Sequence, residues 1–295
     1  MILKENLKRQ RSGRLGGALC AAVIVTMLSD ATGVGAAGIS VETVTFPGRD
    51  GATTLTGYVY RPQGTGPFPA VVMLHGRAGV YSSLSGKVYN AGTLSMRHRM
   101  WANHWAERGY VGILVDSFGP RGYPGGFAKH SYSDRPDVVS ERTVRPLDAY
   151  DAVRYLRGRA DVGMQPVVLQ GWSNGGMTVL SVMGAPPETP DLRFSGAIAQ
   201  YPSCRTQDLQ KDYRPYAPLL ILSAADDDEV SPTICQRFAA RMRSEKSSVE
   251  FVLYEGAHHS YDDPGKTRQS HEPNRLATED TRRRADAWFE RVRGR

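Results

Sequence analysis

From residue 68 onward, short unbroken apolar runs alternate with stretches whose apolar positions recur every three or four residues. The runs are "FPAVVMLHG", "YVGILVDSFG", "PVVLQGWS", "FSGAIAQYP", "PLLILSAAD" and "VEFVLYEG". A strand buried on both faces has no polar side to show, so runs of this kind predict interior strands of a parallel sheet. The periodic stretches predict helices. "SMRHRMWANHWAERG" places Trp101 and Trp105 four apart and stops at Gly109. "RPLDAYDAVRYLRGR" aligns Ala149, Ala152, Val153 and Leu156. "SPTICQRFAARMRSE" aligns Cys235, Phe238, Ala239 and Met242 behind Ser231 and Pro232, a cap and first-turn pair. A last helix near 277–293 carries the stripe Ala285, Trp288, Phe289 and Val292. Ahead of this region the pattern differs. "SVETVTFPG" and "TTLTGYVYRP" alternate polar and apolar around "RDGA", which predicts an opening antiparallel hairpin. The fold class expected is therefore α/β, a mostly parallel sheet with helices on both faces. Only "SCRTQDLQKDYRPYA" separates two of the later strands, which leaves no room there for a cap domain.

Composition changes this picture mainly at the N-terminus. Five Lys/Arg residues lie within the first fourteen positions, "LGGALCAAVIVTML" follows without charge, and "GVGAAG" supplies small residues for cleavage near Ala36 or Ala37. The expectation is a signal peptide over residues 1–37, a mature domain over 38–295, and an exported protein, periplasmic or secreted. The apolar run is short for a span of about 20 residues, so no stable membrane anchor is expected after cleavage. Leu19 before Cys20 does not suit a lipoprotein signal. Against those five cations stand Glu5 and Asp30, so the leader accounts for +3 of the +7 net charge and the rest carries +4. That mild excess requires no nucleic-acid partner, and the arginines of the last helix read as a solvated face.

The candidate chemistry lies at the ends of the predicted strands, where open α/β sheets place their ligands. In "VVLQGWSNGGM" an apolar run meets Ser173 between Gly171 and Gly175–Gly176 and then turns helical. A G-x-S-x-G match alone is weak in a chain with 31 glycines. A strand before it and a helix after it make it a strained turn that exposes a nucleophile. A serine at its ordinary pKa needs a base. His258 and His259 stand at the end of the last strand in "YEGAHHSYDDP", and Asp226, Asp227 and Asp228 stand at the end of the strand before it. The order Ser, Asp, His suits a Ser-His-Asp triad on this fold. The backbone N–H groups of Arg77, after "VVMLHG", and of Asn174, after the serine, are the expected oxyanion donors. His75 reads as a structural residue of the turn. Trp172, Tyr201 and Tyr261 are candidates for an aromatic substrate pocket or, equally, for core. Arg77 and Arg121 could attract an anion, although Arg121 fits better as a tie for its own loop. No C-x-x-C or H-E-x-x-H pattern occurs, so neither metal nor cofactor is expected. Cys204 ends one strand and Cys235 opens the helix after the next, which brings both to one edge of the sheet and predicts a disulfide in an oxidising compartment.

The segments "PAVVMLHGRAGV", "AERGYVGILVDSFGPRG", "VLQGWSNGGM", "DDDEVSP" and "YEGAHHSYDDP" resemble, in order, those of the dienelactone hydrolase family of α/β hydrolases. The resemblance covers nearly all of the chain beyond the leader. It implies an eight-stranded α/β-hydrolase core without metal or cofactor. The family's D-x-x-x-P spacing, applied to Pro232, selects Asp228 as the acid, with Asp227 as the alternative. Its Y-x-G-A-x-H pattern selects His259 as the base. Best-known members carry cysteine where this chain has Ser173, which shifts the expected activity toward a serine esterase acting on a small-molecule ester or lactone. Two other readings use the same residues: a peptidase or acyltransferase, and a non-catalytic exported binding protein. Against the first stands the lack of a cap or propeller, and against the second the presence of all three triad members.

Overall fold

The computed structural model describes residues 38–293; the expected signal peptide lies outside the described residues. Eight strands form one sheet. β1 (Ser40–Pro47) and β2 (Thr54–Arg61) make the opening hairpin, paired from Ser40 with Arg61 to Pro47 with Thr54. β2 pairs antiparallel with β4 (Val111–Asp116), and β4 pairs parallel with β3 (Ala70–Leu74). β5 (Val167–Trp172), β6 (Ala197–Gln200), β7 (Leu219–Ala224) and β8 (Val249–Tyr254) continue in parallel, so the order across the sheet is β1-β2-β4-β3-β5-β6-β7-β8.

The apolar runs become strands because both of their faces are covered. Every residue of β3, β4, β5, β6 and β7 is buried. Along β3 the alternate side chains divide between two cores. Val72 and Leu74 join the one built on Ala149, Ala152, Val153, Leu156, Phe238 and Met242. Val71 and Met73 join the one built on Trp101, Trp105, Trp288 and Phe289. The first core is supplied by α2 (Arg145–Arg157), α3 (Asn174–Gly184) and α5 (Pro232–Ser244), the second by α1 (Met96–Glu107) and α7 (Glu272–Arg293). The expected stripes are therefore the buried faces of these helices. Burying a large apolar side chain contributes about 1.5–3 kcal/mol, so each stripe fixes its helix against the sheet. Two short helices, α4 (Arg205–Leu209) and α6 (Lys266–Gln269), lie in the connections after β6 and β8. Among the described residues no helix is long and apolar enough to cross a membrane.

The pairing of β6 with β7 brings the expected cysteines together. Cys204 follows β6, Cys235 lies near the start of α5, and the two form a disulfide with Cα atoms 5.0 Å apart. The chain between them includes residues 225–231, the loop at the end of β7 that carries the aspartate run. The bridge thus ties the first turn of α5 to the segment after β6, on either side of that loop.

Candidate active site

β5 ends at Trp172, and α3 begins two residues later. Between them Ser173 has φ 53° and ψ −114°, a backbone conformation L-residues rarely adopt. The surrounding glycines make this turn possible. A Cβ on Gly175 would stand 2.0 Å from the carbonyl oxygen of Leu74, and one on Gly171 would stand 2.4 Å from that of Gly175. Only glycine lets β3, β5 and α3 approach this closely. The turn places the Ser173 hydroxyl at the C-terminal edge of the sheet and at the N-terminus of α3, whose dipole favours negative charge.

His259, after β8, directs Nε2 to the Ser173 Oγ at 3.0 Å and donates from Nδ1 to Asp227 Oδ2 at 2.7 Å. Both flanking groups are shielded: the His259 side chain is 4% exposed and that of Asp227 1%. A hydroxyl, an imidazole and a carboxylate thus lie in one hydrogen-bonded chain, the arrangement that can remove the hydroxyl proton and hold the resulting imidazolium.

The structure corrects the expected acid. Asp227, not Asp228, meets His259. Its other oxygen accepts the N–H groups of Glu229 and Val230, both at 2.9 Å, so the turn itself aims the carboxylate inward. Asp228 lies on the outside of that turn, 65% exposed, and pairs with Lys129 at 2.5 Å. The lysine beside it holds its carboxyl below the usual range. The acid therefore stands five residues before Pro232 rather than four. His258, the neighbour not chosen as base, bonds through Nδ1 to the Asp226 carbonyl at 3.1 Å and stacks on His271.

The aromatic-pocket expectation is also overturned. Trp172, Tyr201 and Tyr261 are fully buried. They are core side chains whose polar ends find partners inside the protein. Asp262 accepts Trp172 Nε1 at 3.0 Å, Tyr201 Oη at 2.6 Å, Trp101 Nε1 at 2.8 Å and Gln200 Nε2 at 3.1 Å. Tyr261 bonds instead to Thr281 at 2.8 Å. Burial pushes the Tyr201 hydroxyl well above the usual phenol range, so it remains a donor to Asp262. Its ring sits edge-on to His259 with centroids 4.9 Å apart. Asp262 thereby joins the residue before Ser173 to the aromatic wall behind His259.

The expected oxyanion donors lie on turns held together from below. The N–H groups of Arg77 and Asn174 have no acceptor among the described residues. A Cβ built on Gly76, the residue before Arg77, would stand 3.5 Å from Ser173 Cβ. Arg145, fully buried, donates to the His75 carbonyl at 2.8 Å and to Asn174 Oδ1, and its guanidinium lies 4.9 Å over the Phe118 ring. Burial lowers it to about 10, with Asp148, Glu141 and Asp116 opposing the drop. Asn174 Nδ2 in turn donates to Glu141 at 3.1 Å. His75 has the structural place expected of it. Nδ1 donates to the Gly76 carbonyl at 2.7 Å, Nε2 accepts the Ser117 N–H at 3.3 Å, and burial holds the ring well below the usual imidazole value.

The two arginines considered for anions are both engaged. Arg121 binds Asp148 through two nitrogens at 2.8 Å and so secures its loop. Arg77 binds Glu229 in the same forked manner at 2.8 and 2.9 Å. Burial would raise the Glu229 carboxyl, but Arg77 and His259 hold it below the usual range. Glu229 Oε2 lies 3.8 Å from His259 Nε2. No group of residues suited to hold a metal ion occurs among the described residues.

The model of the dienelactone hydrolase family matches residues 55–293. A Bradyrhizobium protein named as a probable 2-oxo-3-(5-oxofuran-2-ylidene)propanoate lactonase is 24% identical over 225 residues, 72% of this chain and 81% of its own. Among solved structures, a Klebsiella pneumoniae protein assigned to the dienelactone hydrolases superposes with a TM-score of 0.67 at 18% identity, covering 85% of this chain and 98% of that one. Esterase 2 of Thermogutta terrifontis, phosphonylated by cyclosarin, superposes with a TM-score of 0.60 at 20% identity over 85% of this chain and 94% of its own. These likenesses show a shared fold, and the family match, which spans most of the chain and all the residues brought together here, decides the kinship: the chain belongs to the dienelactone hydrolase family of carboxylic-ester hydrolases.

Proposed function

We propose that the protein is an exported serine hydrolase that cleaves carboxylic esters or lactones through an acyl-enzyme. The observation that carries this reading is the chain Ser173 Oγ, His259 Nε2, His259 Nδ1, Asp227 Oδ2, with steps of 3.0 and 2.7 Å at a strained strand-to-helix turn. Ser173 attacks the ester carbonyl while His259 takes its proton. Asp227 holds the imidazole in the Nδ1–H tautomer and stabilises its cation. The N–H groups of Arg77 and Asn174 and the α3 dipole receive the oxyanion. His259 then returns the proton to the leaving alcohol, and water, activated by the same histidine, releases the acid. The esterase and lactonase activities named for its relatives support the same bond type. Export is supported by the leader pattern over residues 1–37 and by a disulfide, which suits an oxidising compartment.

The purified protein, assayed on p-nitrophenyl esters and on the matching anilides, should cleave the esters at least about a hundredfold faster, since amides leave far less readily. Comparable rates on the anilides would point to a peptidase instead.

A further inference from the structure

Arg145 stands where a cation is unfavourable. It is fully buried, and it is the first residue of α2, where the helix dipole opposes positive charge. Its Nε has no hydrogen-bond partner. The three carboxylates nearest in its surroundings are bonded by other groups. Asp148 is held by Arg121, Asp116 by the N–H groups of Phe118 and Gly119, and Glu141 by Tyr132 and Asn174. Stability gives little reason for a guanidinium at this place, since an apolar side chain of similar volume fills such a site at no greater cost.

What the guanidinium does hold is the pair of turns on either side of Ser173. One terminal nitrogen donates to the carbonyl of His75, two residues before Arg77, at 2.8 Å, and the other donates to Asn174 Oδ1. Its plane is backed by the Phe118 ring, which also meets His75 edge-on with centroids 4.4 Å apart. His75 closes this side by donating Nδ1 to the Gly76 carbonyl at 2.7 Å. On the other side Asn174 Nδ2 donates to Glu141 at 3.1 Å, and Glu141 accepts Tyr132 Oη at 2.5 Å. The turns that carry the Arg77 and Asn174 N–H groups are thus tied by one rigid planar fork. Two N–H groups stabilise an oxyanion together only if both reach it at once, so the separation of these turns matters to the reaction itself.

Resting on the hydrolase reading, we propose that Arg145 is a positioning residue for the oxyanion hole: by bridging the His75 carbonyl and the Asn174 side chain it sets the distance between the Arg77 and Asn174 N–H groups, without touching the substrate. Its loss weakens binding of the transition state and leaves binding of the ester itself nearly unchanged.

The test uses the whole mature protein, p-nitrophenyl butanoate as substrate and 1,1,1-trifluoro-2-hexanone as inhibitor. Ser173 Oγ adds to the ketone carbonyl, its proton passes to His259, and the carbonyl oxygen becomes an oxyanion, so the inhibition constant reads the hole directly. Arg145→Lys keeps the positive charge but cannot fork to two acceptors. In that variant kcat should fall at least about thirtyfold while KM changes less than about threefold. The inhibition constant should rise in step with the loss in kcat/KM. Asn174→Ala cuts the same tie from its other end and keeps the backbone N–H. It should show the same pattern at about tenfold, and it decides the matter alone if circular dichroism shows Arg145→Lys unfolded. Folded variants with kcat within about threefold of the parent, or with a lower kcat and an unchanged inhibition constant, would overturn the proposal. If the parent cleaves the ester and only these losses are missing, the hydrolase reading survives without it. If the parent cleaves no ester and a fluorophosphonate leaves Ser173 unlabelled, the hydrolase reading itself fails and takes this proposal with it.

Discussion

At the scale of single residues, the site turns on which of three adjacent aspartates meets His259. Asp227 is fixed by the backbone N–H groups of the next turn, and Asp228 is turned outward to a lysine. Asp227→Asn should therefore lower kcat by about three to four orders of magnitude, because an amide mis-sets the imidazole tautomer. Asp228→Asn, which removes an exposed ion pair, should cost severalfold at most. The reverse order in a steady-state assay would place the acid at Asp228 after all. The serine, the histidine and the presence of an acid in this run were legible in the sequence, since each sits beyond its own apolar strand. The register of the acid was not, because a spacing to Pro232 cannot see an Asx-type turn. Asp262 was illegible for a related reason. A carboxylate that receives two indoles, an amide and a phenol from three separate segments leaves no periodic trace, and the three aromatic residues near the serine read equally well as pocket.

At the scale of elements, the strand-to-helix turn and the β7–α5 loop are held by different devices. Glycine lets the first form, and a cross-link restrains the second. The disulfide closes a segment of sequence separation 31. In the chain-entropy model a loop of that size restricts the unfolded state by about 3–4 kcal/mol. Cys204→Ser combined with Cys235→Ser should lower stability to urea by roughly that amount. The double variant should also reduce kcat, since it loosens the loop that presents Asp227. A variant as stable and as active as the parent would show that the bridge braces nothing. This pairing was legible from strand order, because sequential parallel strands are usually neighbours. The helix stripes were equally legible, and Cys235, Phe238, Ala239 and Met242 are the buried face of α5. The buried polar face of α2, with Arg145, Asp148 and Asp151 inside, is the element the pattern misses, since hydrophobic periodicity counts such positions as solvent.

At the scale of the whole molecule, three buried imidazoles link folding to pH. His98 is held down to about 4, mainly by burial with Arg97 adding to it; burial likewise holds His104 to about 4, against the pull of Asp286, and keeps His75 well below its usual value. In the unfolded chain all three bind a proton as pH falls through about 6.5. Between that value and about 4 the unfolded state holds more protons, so stability falls as pH falls across this window. Asp116 and Asp148, raised by burial, act in the opposite sense at its acid end. The melting temperature should thus drop between about pH 7 and pH 5, and His98→Gln should flatten the drop. An unchanged slope in that variant would remove His98 from the explanation.

The proposed chemistry requires Ser173 to be an activated nucleophile. Its most direct measurement is peptide mass mapping after treatment of the folded protein with a fluorophosphonate. One label per chain is expected, carried by Ser173, with labelling abolished in His259→Ala. A folded protein that stays unlabelled, or that takes the label at another residue, would contradict it.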